Sequence, residues 1–498
     1  MNIRQSIRKW LGRAPKPAGK PLFVRAFDGA RQDDLTFGFS STNSSIDVDI
    51  AGALEKLRGR SRNLAQNNDY ARKFLSQVET NVVGPSGFTL QVQAADGPKL
   101  DALANTIIEG SFADWGRRGV CEVSGQLSFV EVQQVVAATR ARDGEALVRF
   151  VRGPESGNRW NFALQLIDID RLPIGYHLDL RNGSRIVMGV EINRYGRPVA
   201  YHLHRQHPGT SAGAYAYADM ERVPATDILH LFRSMRPEQR RGVPAMHTAM
   251  LRLEMLGKFD LAAAAAARKG AETLGFIQSP NGEVLPGDAT AADGNQVTTS
   301  VPGTYDTLPA GYEFKPYESQ YPNALYGEFV KASLRGIAAG LGVSYNSLAN
   351  DLEGVNYSSI RAGVLEERDM WMAEQHWMIE AFLRPVYEGW LKSALLAQAV
   401  TYPLGGALPA TKLDKFLSHR WQGRRWAWVD PQKDIEANIA AINAKLKSRR
   451  EVIAEQGRDI DEVWTQLQAE QDMAAAMNLD LAPAKQANPA AEKVTSSP

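Results

Sequence analysis

Three histidines, His202, His204 and His207, form the densest set of potential metal ligands in the chain. On a strand the first two share a face, because side chains alternate with period two. Pro208 follows at once and no carboxylate sits at a partner spacing, so the pattern fits polar-face histidines better than a cation site. Asp168 and Asp170 likewise share a strand face and would hold Mg²⁺ if a third carboxylate joined them. That pair is the basis of one alternative reading, a metal-dependent nucleic-acid enzyme. Cys121, the single cysteine, has no evident base beside it and reads as a core filler. It leaves no intrachain disulfide and no thiolate cluster. A phosphate-binding Gly-x4-Gly-Lys-[Ser/Thr] loop, a His-Glu-x-x-His motif, a Gly-x-Ser-x-Gly elbow and a dinucleotide-binding glycine pattern are all absent. The sequence therefore assigns no catalytic residue, no metal and no cofactor.

Two clusters have the chemistry of contact surfaces. Arg233, Arg236, Arg240 and Arg241 lie in a loop between a strand run and a helix, where they would meet phosphates or form salt-bridged junctions. His419, Arg420, Trp421, Arg424, Arg425, Trp426 and Trp428 combine indoles with guanidiniums, which would stack bases or, more in keeping with their number, pack two elements or a subunit contact. Of these, Arg236, Arg240, Arg241, Trp421, Arg424, Arg425 and Trp426 are the candidate subunit or partner contacts. Lys and Arg total 57 against 56 Asp and Glu, so no overall basic field draws the chain onto nucleic acid. No run of about 18 apolar residues occurs, the length a membrane span needs.

The elements that must position these residues follow from periodicity. The first twenty residues are basic without the apolar stretch of a signal peptide, and the first folded element is placed at about Ile50. Two helices follow to Val83, then a strand at Phe88–Val92 and helices over Leu100–Trp115 and Phe129–Ala141, the latter capped by Ser128. From Glu145 to Phe232 short Val/Ile/Leu/Phe runs alternate with glycine and proline breaks, a β-rich region. Val243 to Glu272 is a long helix with the small-residue tract Ala262–Ala267. Residues 273–323 are broken by prolines and glycines, and Tyr326–Ala339 returns as a helix. A polar loop, 340–356, leads to the longest helix, from Tyr357, for which Pro385 and Gly389 signal a kink or break. The end of the chain, from Ile435 to about Leu479, is mostly helical and divided near Gly457.

Several segments together resemble the portal proteins of lambda-like tailed bacteriophages. They are Gln66–Arg72 with Asn81–Gly84, Leu164–Leu172, Gly196–Tyr201, Ile228–Arg233, Arg236–Pro244, Gly342–Leu348, Tyr357–Ala362 and Trp426–Pro431. Their number and order, spread over roughly 55–435, make the match specific. The resemblance implies an α+β portal fold with a wing, a two-helix stem, a small clip, a tunnel loop plus long spine helix, and a helical crown. On that plan residues 1–49 are a largely disordered basic arm, 50–242 the wing, 243–272 the first stem helix and 273–323 the clip. The second stem helix is 324–339 and the tunnel loop 340–356. Residues 357–434 form the spine helix and the rest of the wing, 435–481 the crown and 482–498 a disordered tail.

The resemblance also implies a ring of twelve copies in the virion, at one capsid vertex, assembled in the host cytoplasm without a membrane. Double-stranded DNA would pass through it in packaging and ejection. The implied partners are the terminase large subunit, head-completion or adaptor proteins, and the major capsid and scaffolding proteins. A conduit needs weak, exchangeable contacts, since each gripped phosphate adds to the barrier for sliding. Ser344, Asn346, Ser347 and Asn350 suit that role, while Asp351 and Glu353 would repel phosphate. Lys258, Arg268 and Lys269 would offer an attractive band in the stem lumen or sit on subunit seams. A tail or baseplate protein is the other structural alternative, but it would not need the order helix, excursion, helix, polar loop, long helix.

Overall fold

Asp47 and Asp49 lie in the first turn of helix α1 (Ile46–Asn67), where acidic groups complement the helix dipole. The structure, a computed structural model, describes residues 34, 38, 43–181, 183–210, 220–272, 275–278, 289–290, 296–297, 313–316, 325–353, 357–426 and 431–477. The expectations for most of the N-terminal arm, most of 273–323 and the C-terminal tail lie outside these residues. Among the described residues the first helix starts at Ile46, shortly before the expected first folded element at about Ile50.

Asn68 ends α1 and its side chain caps α2 (Asp69–Val78), which continues as one π-helical turn, Glu79–Val83, up to Gly84. Strand β1 (Thr89–Val92) and helix α3 (Ala102–Trp115) follow, the latter capped by Asp101. Helix α4 (Phe129–Asp143) opens with a reciprocal Ser128–Glu131 capping box, two donors satisfied at once.

The β-rich region forms two antiparallel sheets. Strand β2 (Glu145–Arg152) is the centre of a three-stranded sheet, between β3 (Phe162–Ile167) and β9 (Ile228–Phe232). Between those lie β4 (Leu178–Asp179), β5 (Arg185–Val187), β6 (Val190–Ile192), β7 (Pro198–His204) and β8 (Met220–Pro224), a five-stranded meander in sequence order. The apolar run Ile186–Asn193 is split between two strands, because Met188 and Gly189 both take positive φ and turn the chain back.

Helix α5 covers Met250–Glu272 and not the full stretch from Val243. The residues before it dock on the end of α4. Ala245 donates its N–H to the Ala141 carbonyl (2.9 Å), and Val243–Pro244 pass directly over Gly144, where a Cβ would lie 2.4 Å from the Val243 carbonyl carbon. Gly144→Ala therefore meets both a left-handed backbone (φ 90°) and a clash. Its expected cost is roughly 2 kcal/mol or more, against about 1 kcal/mol for Gly153→Ala, which has a similar φ and open space around it. Thermal melts of the two variants test the difference.

Within the excursion, β10 (Gly275–Gln278) pairs with β13 (Glu313–Pro316), and β11 (Ala289–Thr290) with β12 (Gln296–Val297), all antiparallel. Helix α6 (Tyr326–Leu341) returns alongside α5. Thr248 hydrogen-bonds the Gly340 carbonyl, the Arg252 guanidinium lies against Gly336, and Phe259 packs on Phe329 (4.8 Å between centroids). One index rises as the other falls in steps of four and seven, so the pair is antiparallel in regular register.

Helix α7 (Tyr345–Ala349) interrupts what the sequence pattern suggested as a continuous loop. The long helix then runs as α8 (Tyr357–Met378), a π turn (Ile379–Leu383) and α9 (Arg384–Leu396). Pro385 does not break it. The wider π turn accommodates a residue that has no N–H to offer and whose ring would crowd a regular α turn. Gly389 is a packing position, with the Phe162 ring against it. Helix α10 (Leu413–Phe416) precedes β14 (His419–Gln422), which returns to pair with β1. The end of the chain is α11 (Pro431–Asn443), α12 (Arg449–Glu455) and α13 (Ile460–Ala476). A break near Lys445, which takes φ 60°, adds to the one at Gly457.

The main core joins the N-terminal helices, the β2–β3 sheet and α9 around Trp115, Phe162, Phe382, Tyr387 and Trp390. Phe112 meets Trp390 edge-on at 4.9 Å and Trp115 packs on Phe129 at 5.3 Å. A second core, with Ile169, Val190, Tyr201 and Leu203, lies under the five-stranded sheet.

Candidate functional site

The segment from Ser344 to Glu353 is held by its own polar residues. Ser344 Oγ accepts from the Ser347 N–H, capping α7, and donates to Glu367 of α8 (2.6 Å). Ser347 Oγ and its carbonyl both accept from Gln77 of α2 (2.7 and 2.9 Å), and Leu348 is buried beneath. Asn350 takes the left-handed conformation (φ 53°) that ends α7, which asparagine tolerates better than most residues. Tyr345 Oη donates to Asp351 (2.6 Å), and Lys331 of α6 lies 3.3 Å from both Asp351 and Glu353. Hydrogen bonds from Tyr345 and from the Glu353 backbone, with Lys331 beside them, hold the Asp351 carboxyl below its ordinary value.

The sequence reading set the neutral Ser344, Asn346, Ser347 and Asn350 against the acids Asp351 and Glu353, and the structure divides the six differently. Ser344, Ser347 and Asp351 are turned to the subunit, whereas Asn350 and Glu353 (84% exposed) face out and Asn346 is half-buried. The two acids are not bare, because Lys331 offsets them. Sequence reasoning missed the anchors Gln77, Lys331 and Glu367, and the exposed apolar Leu352 (67% exposed). Gln77 on the buried face of α2 was the one available signal. Lys331→Ala should leave the melting temperature almost unchanged, since exposed pairs contribute little. It should speed proteolysis within 345–353 several-fold, as measured by limited digestion and mass spectrometry.

Lys258, Arg268 and Lys269 are exposed on α5, and Lys258 pairs with Glu254 one turn earlier (2.7 Å). The basic loop is largely spent within the subunit. Arg233 pairs with Glu374 of α8, Arg236 with Asp49 (3.3 Å) and Arg240 with Asp47 (2.7 Å), which ties the loop to the start of α1. Arg241 is fully buried and is corrected from contact candidate to core residue, because Glu145 holds it through Nε and Nη2 (3.0 and 2.8 Å).

Glu145 is the hub of a buried network. Besides Arg241 it accepts from Arg58 (2.6 Å), from His230 Nε2 (2.6 Å) and from the Gly242 N–H (3.0 Å). Burial pushes the Glu145 carboxyl up, but Arg241, His230 and Arg58 together hold it well below the usual carboxylate range. Arg58 and Arg62 extend the network to Asp170 (2.7 and 2.5 Å), and Arg62 also reaches Asp143 and Asp168 (both 3.0 Å).

Asp168 and Asp170 do not sit on a strand face. They follow β3, with Asp168 capping a single 3₁₀ turn. His207 joins them, and the three offer ligand atoms within 4.8 Å of one another. Two guanidiniums already supply the positive charge, and a cation would have to displace them. The three histidines do not converge. His202 pairs with Glu191 (3.1 Å), which also holds Arg222, while His207 faces Asp170 (3.5 Å). Burial pushes the Cys121 thiol up to about 12, so it stays an unreactive core residue.

The aromatic and basic cluster packs elements together inside one subunit. Trp421 lies on Phe112 (5.8 Å), and Arg424 and Trp426 both donate to the Asn81 side chain (3.0 and 3.2 Å). Gln375 of α8 bridges the Asn81 and Arg424 carbonyls (both 3.0 Å), and Arg425 reaches Gln375 (3.4 Å). Trp428 lies outside the described residues.

Comparison with known proteins bears on this arrangement. The chain is similar over 480 residues to a protein named as a probable portal protein of Halomonas phage phiHAP-1. The two are 35% identical, covering 93% of this chain and 91% of that one. It is 22% identical to the portal protein of Escherichia phage N15 over 464 residues, 86% of each chain. Among solved structures, a chain in the neck of an empty gene transfer agent particle has a TM-score of 0.42 at 15% identity, covering 81% of this chain and 93% of that one. Residues 32–375 match the family model described as phage portal protein, lambda family. With that match spanning well over half its length, the chain belongs to the lambda family of phage portal proteins.

Proposed function

We propose that copies of this chain close into a ring of twelve whose axis runs along the α5–α6 pair. Membership of the portal family makes the protein a structural part of the virion, a DNA channel at one capsid vertex, rather than an enzyme. In this reading α5 and α6 are the stem, the strands between them belong to the clip, residues 340–356 are the tunnel loop and α8–α9 the spine. The sheets and N-terminal helices are the wing, and α11–α13 the crown. Terminase would dock on the clip during packaging and head-completion proteins afterwards, with capsid and scaffolding proteins around the wing.

The observation that carries this reading is the chain path. An antiparallel helix pair leads directly into a short polar segment latched by Lys331 and Gln77, and a long helix leaves it. Asn346 and Asn350, with Leu352 beside them, are the residues we place nearest the DNA. Small amides and an apolar side chain limit sliding friction, because neither grips a phosphate. Arg268 and Lys269, exposed on the last turns of α5, are proposed to face the lumen. Negative-stain imaging and mass determination of the purified protein test the ring. Closed rings of about twelve copies around a channel wide enough for duplex DNA are expected, and a stable monomer or dimer at high concentration across a range of salt would overturn the reading.

A further inference from the structure

Two hairpin turns project from the same end of the five-stranded sheet. Asp179, Arg185, Ile192 and Pro198 are successive cross-strand partners on β4, β5, β6 and β7, so the β4–β5 turn, 180–184, and the β6–β7 turn, 193–197, lie side by side. With strands ~4.8 Å apart, the centres of the two turns are about 10 Å apart. Each turn is held by its own hydrogen bonds. Leu180 donates its N–H to the Ser184 carbonyl (2.9 Å), and Asn193 Oδ1 accepts from the N–H groups of Tyr195 and Arg197 (2.9 and 3.0 Å).

These turns carry a local excess of positive charge. Arg181, Arg185, Arg194 and Arg197 are all exposed, and none of them pairs with a carboxylate among the described residues. Arg194 lies over the ring of Tyr195 (4.6 Å to its centroid), which is itself 79% exposed. The exposed acid at this level is Asp179, opposite Arg185. Asp47 is already taken by Arg240, whose guanidinium lies beside Gly196. The chain as a whole is nearly neutral, so the excess belongs to this end of the sheet and not to a general basic field.

Helix α1 sets the distance from this end to the proposed channel. Its first turn holds Arg240 through Asp47, next to the β6–β7 turn, and at its other end Asn68 Nδ2 donates to the Leu253 carbonyl of α5 (3.3 Å). At ~1.5 Å per residue the helix puts about 30 Å between the two.

We propose that this end of the sheet is a second contact for double-stranded DNA, outside the channel, made to phosphates by Arg181, Arg185, Arg194 and Arg197. It goes beyond the ring reading and does not depend on it. The guanidinium fork matches phosphate oxygens, and a duplex offers a phosphate to each arginine without needing a surface shaped to fit. Membership of the portal family places the chain in a particle whose DNA is the polyanion at hand. Contacts of this kind fix the position of a duplex and read no sequence.

The test uses the full-length protein and covalently closed circular duplex DNA, which has no end to thread through a ring, so that retention reports an outer surface. The wild-type chain is expected to bind at low salt and to release the DNA steeply as salt rises. R185Q/R194Q/R197Q should lower the affinity at least tenfold and reduce the slope of log affinity against log salt by roughly three, with unchanged far-UV circular dichroism. The variant K392Q/K445Q/R449Q removes the same charge from exposed positions elsewhere and should bind as the wild type does. Failure of the wild-type chain to bind closed circles, or equal losses in the two triple variants, overturns the site. Displacement of the DNA by poly-glutamate at equal charge concentration overturns it as well, by assigning the turns to an acidic protein surface. Ring formation is read separately by imaging, so each of these results leaves the ring reading untouched.

Discussion

Glu145→Gln lowers the stability of the subunit by about 3–5 kcal/mol, a large share of the 5–15 kcal/mol typical of a domain. The carboxylate is fully buried and is the shared acceptor for Arg58, Arg241 and His230. An amide of the same shape removes the negative charge and leaves two buried guanidiniums without it. The loss should exceed that of the double replacement Glu145→Met with Arg241→Met, because an unpaired buried charge costs more than an apolar pair of similar volume. Chemical denaturation of the three chains measures the coupling. The same network sets the response to acid. Burial holds His230 below its ordinary value, so the folded state keeps it neutral, and that contribution fades as pH falls below about 6.5. Asp143, Glu145 and Asp170 are all held below the usual carboxylate range. Their contribution is complete above about pH 4 and is lost as pH falls further, so stability declines gently from pH 6.5 and steeply below 4. Glu145→Gln should show a shallower loss across the lower window.

Trp115→Ala is expected to cost about 3–5 kcal/mol as well, by a different route. The indole is fully buried among Phe112, Phe129, Phe162 and Trp390, and its Nε1 donates to the Phe162 carbonyl (2.8 Å). Truncation opens a cavity where α3, α4, β3 and α9 meet. Because α9 ends the long helix that follows residues 345–353, the variant should also loosen that helix. Hydrogen exchange over 379–396 is the measurement, and the expected result is faster exchange there with little change in α11–α13, which pack elsewhere. Trp115→Phe keeps part of the ring packing and should cost less. Equal losses for both would mean that the hydrogen bond, and not the cavity, dominates.

Much of the element order was legible because periodicity and caps are local. Ser128 announced the start of α4, and the apolar runs between Glu145 and Phe232 became the strands from β2 to β9. The misses share a cause, which is contact with something distant in the chain. Val243–Ala249 could have been the first turns of α5, but Gly144 and Ala141 draw that stretch onto α4. Pro385 and Gly389 are breakers in isolation, yet a π turn and the Phe162 ring give each a place in the long helix.

The candidate site divides the same way. Its polar composition was visible in the residues from Ser344 to Glu353, but which of them face the subunit depends on Gln77, Lys331 and Glu367, up to 270 positions away. Residue types, their spacing and the ordered segments shared with portal proteins determined the fold class, the lack of catalytic motifs and the family. Those properties are carried by neighbours in the chain and by order along it. Only the tertiary structure decided that Arg241 is core rather than surface, that Asp168 and Asp170 pair with Arg58 and Arg62, and that Trp421, Arg424 and Trp426 pack elements of one subunit together. Each of those outcomes depends on where a counter-charge or a packing partner arrives from a remote element, and no local pattern encodes that arrival.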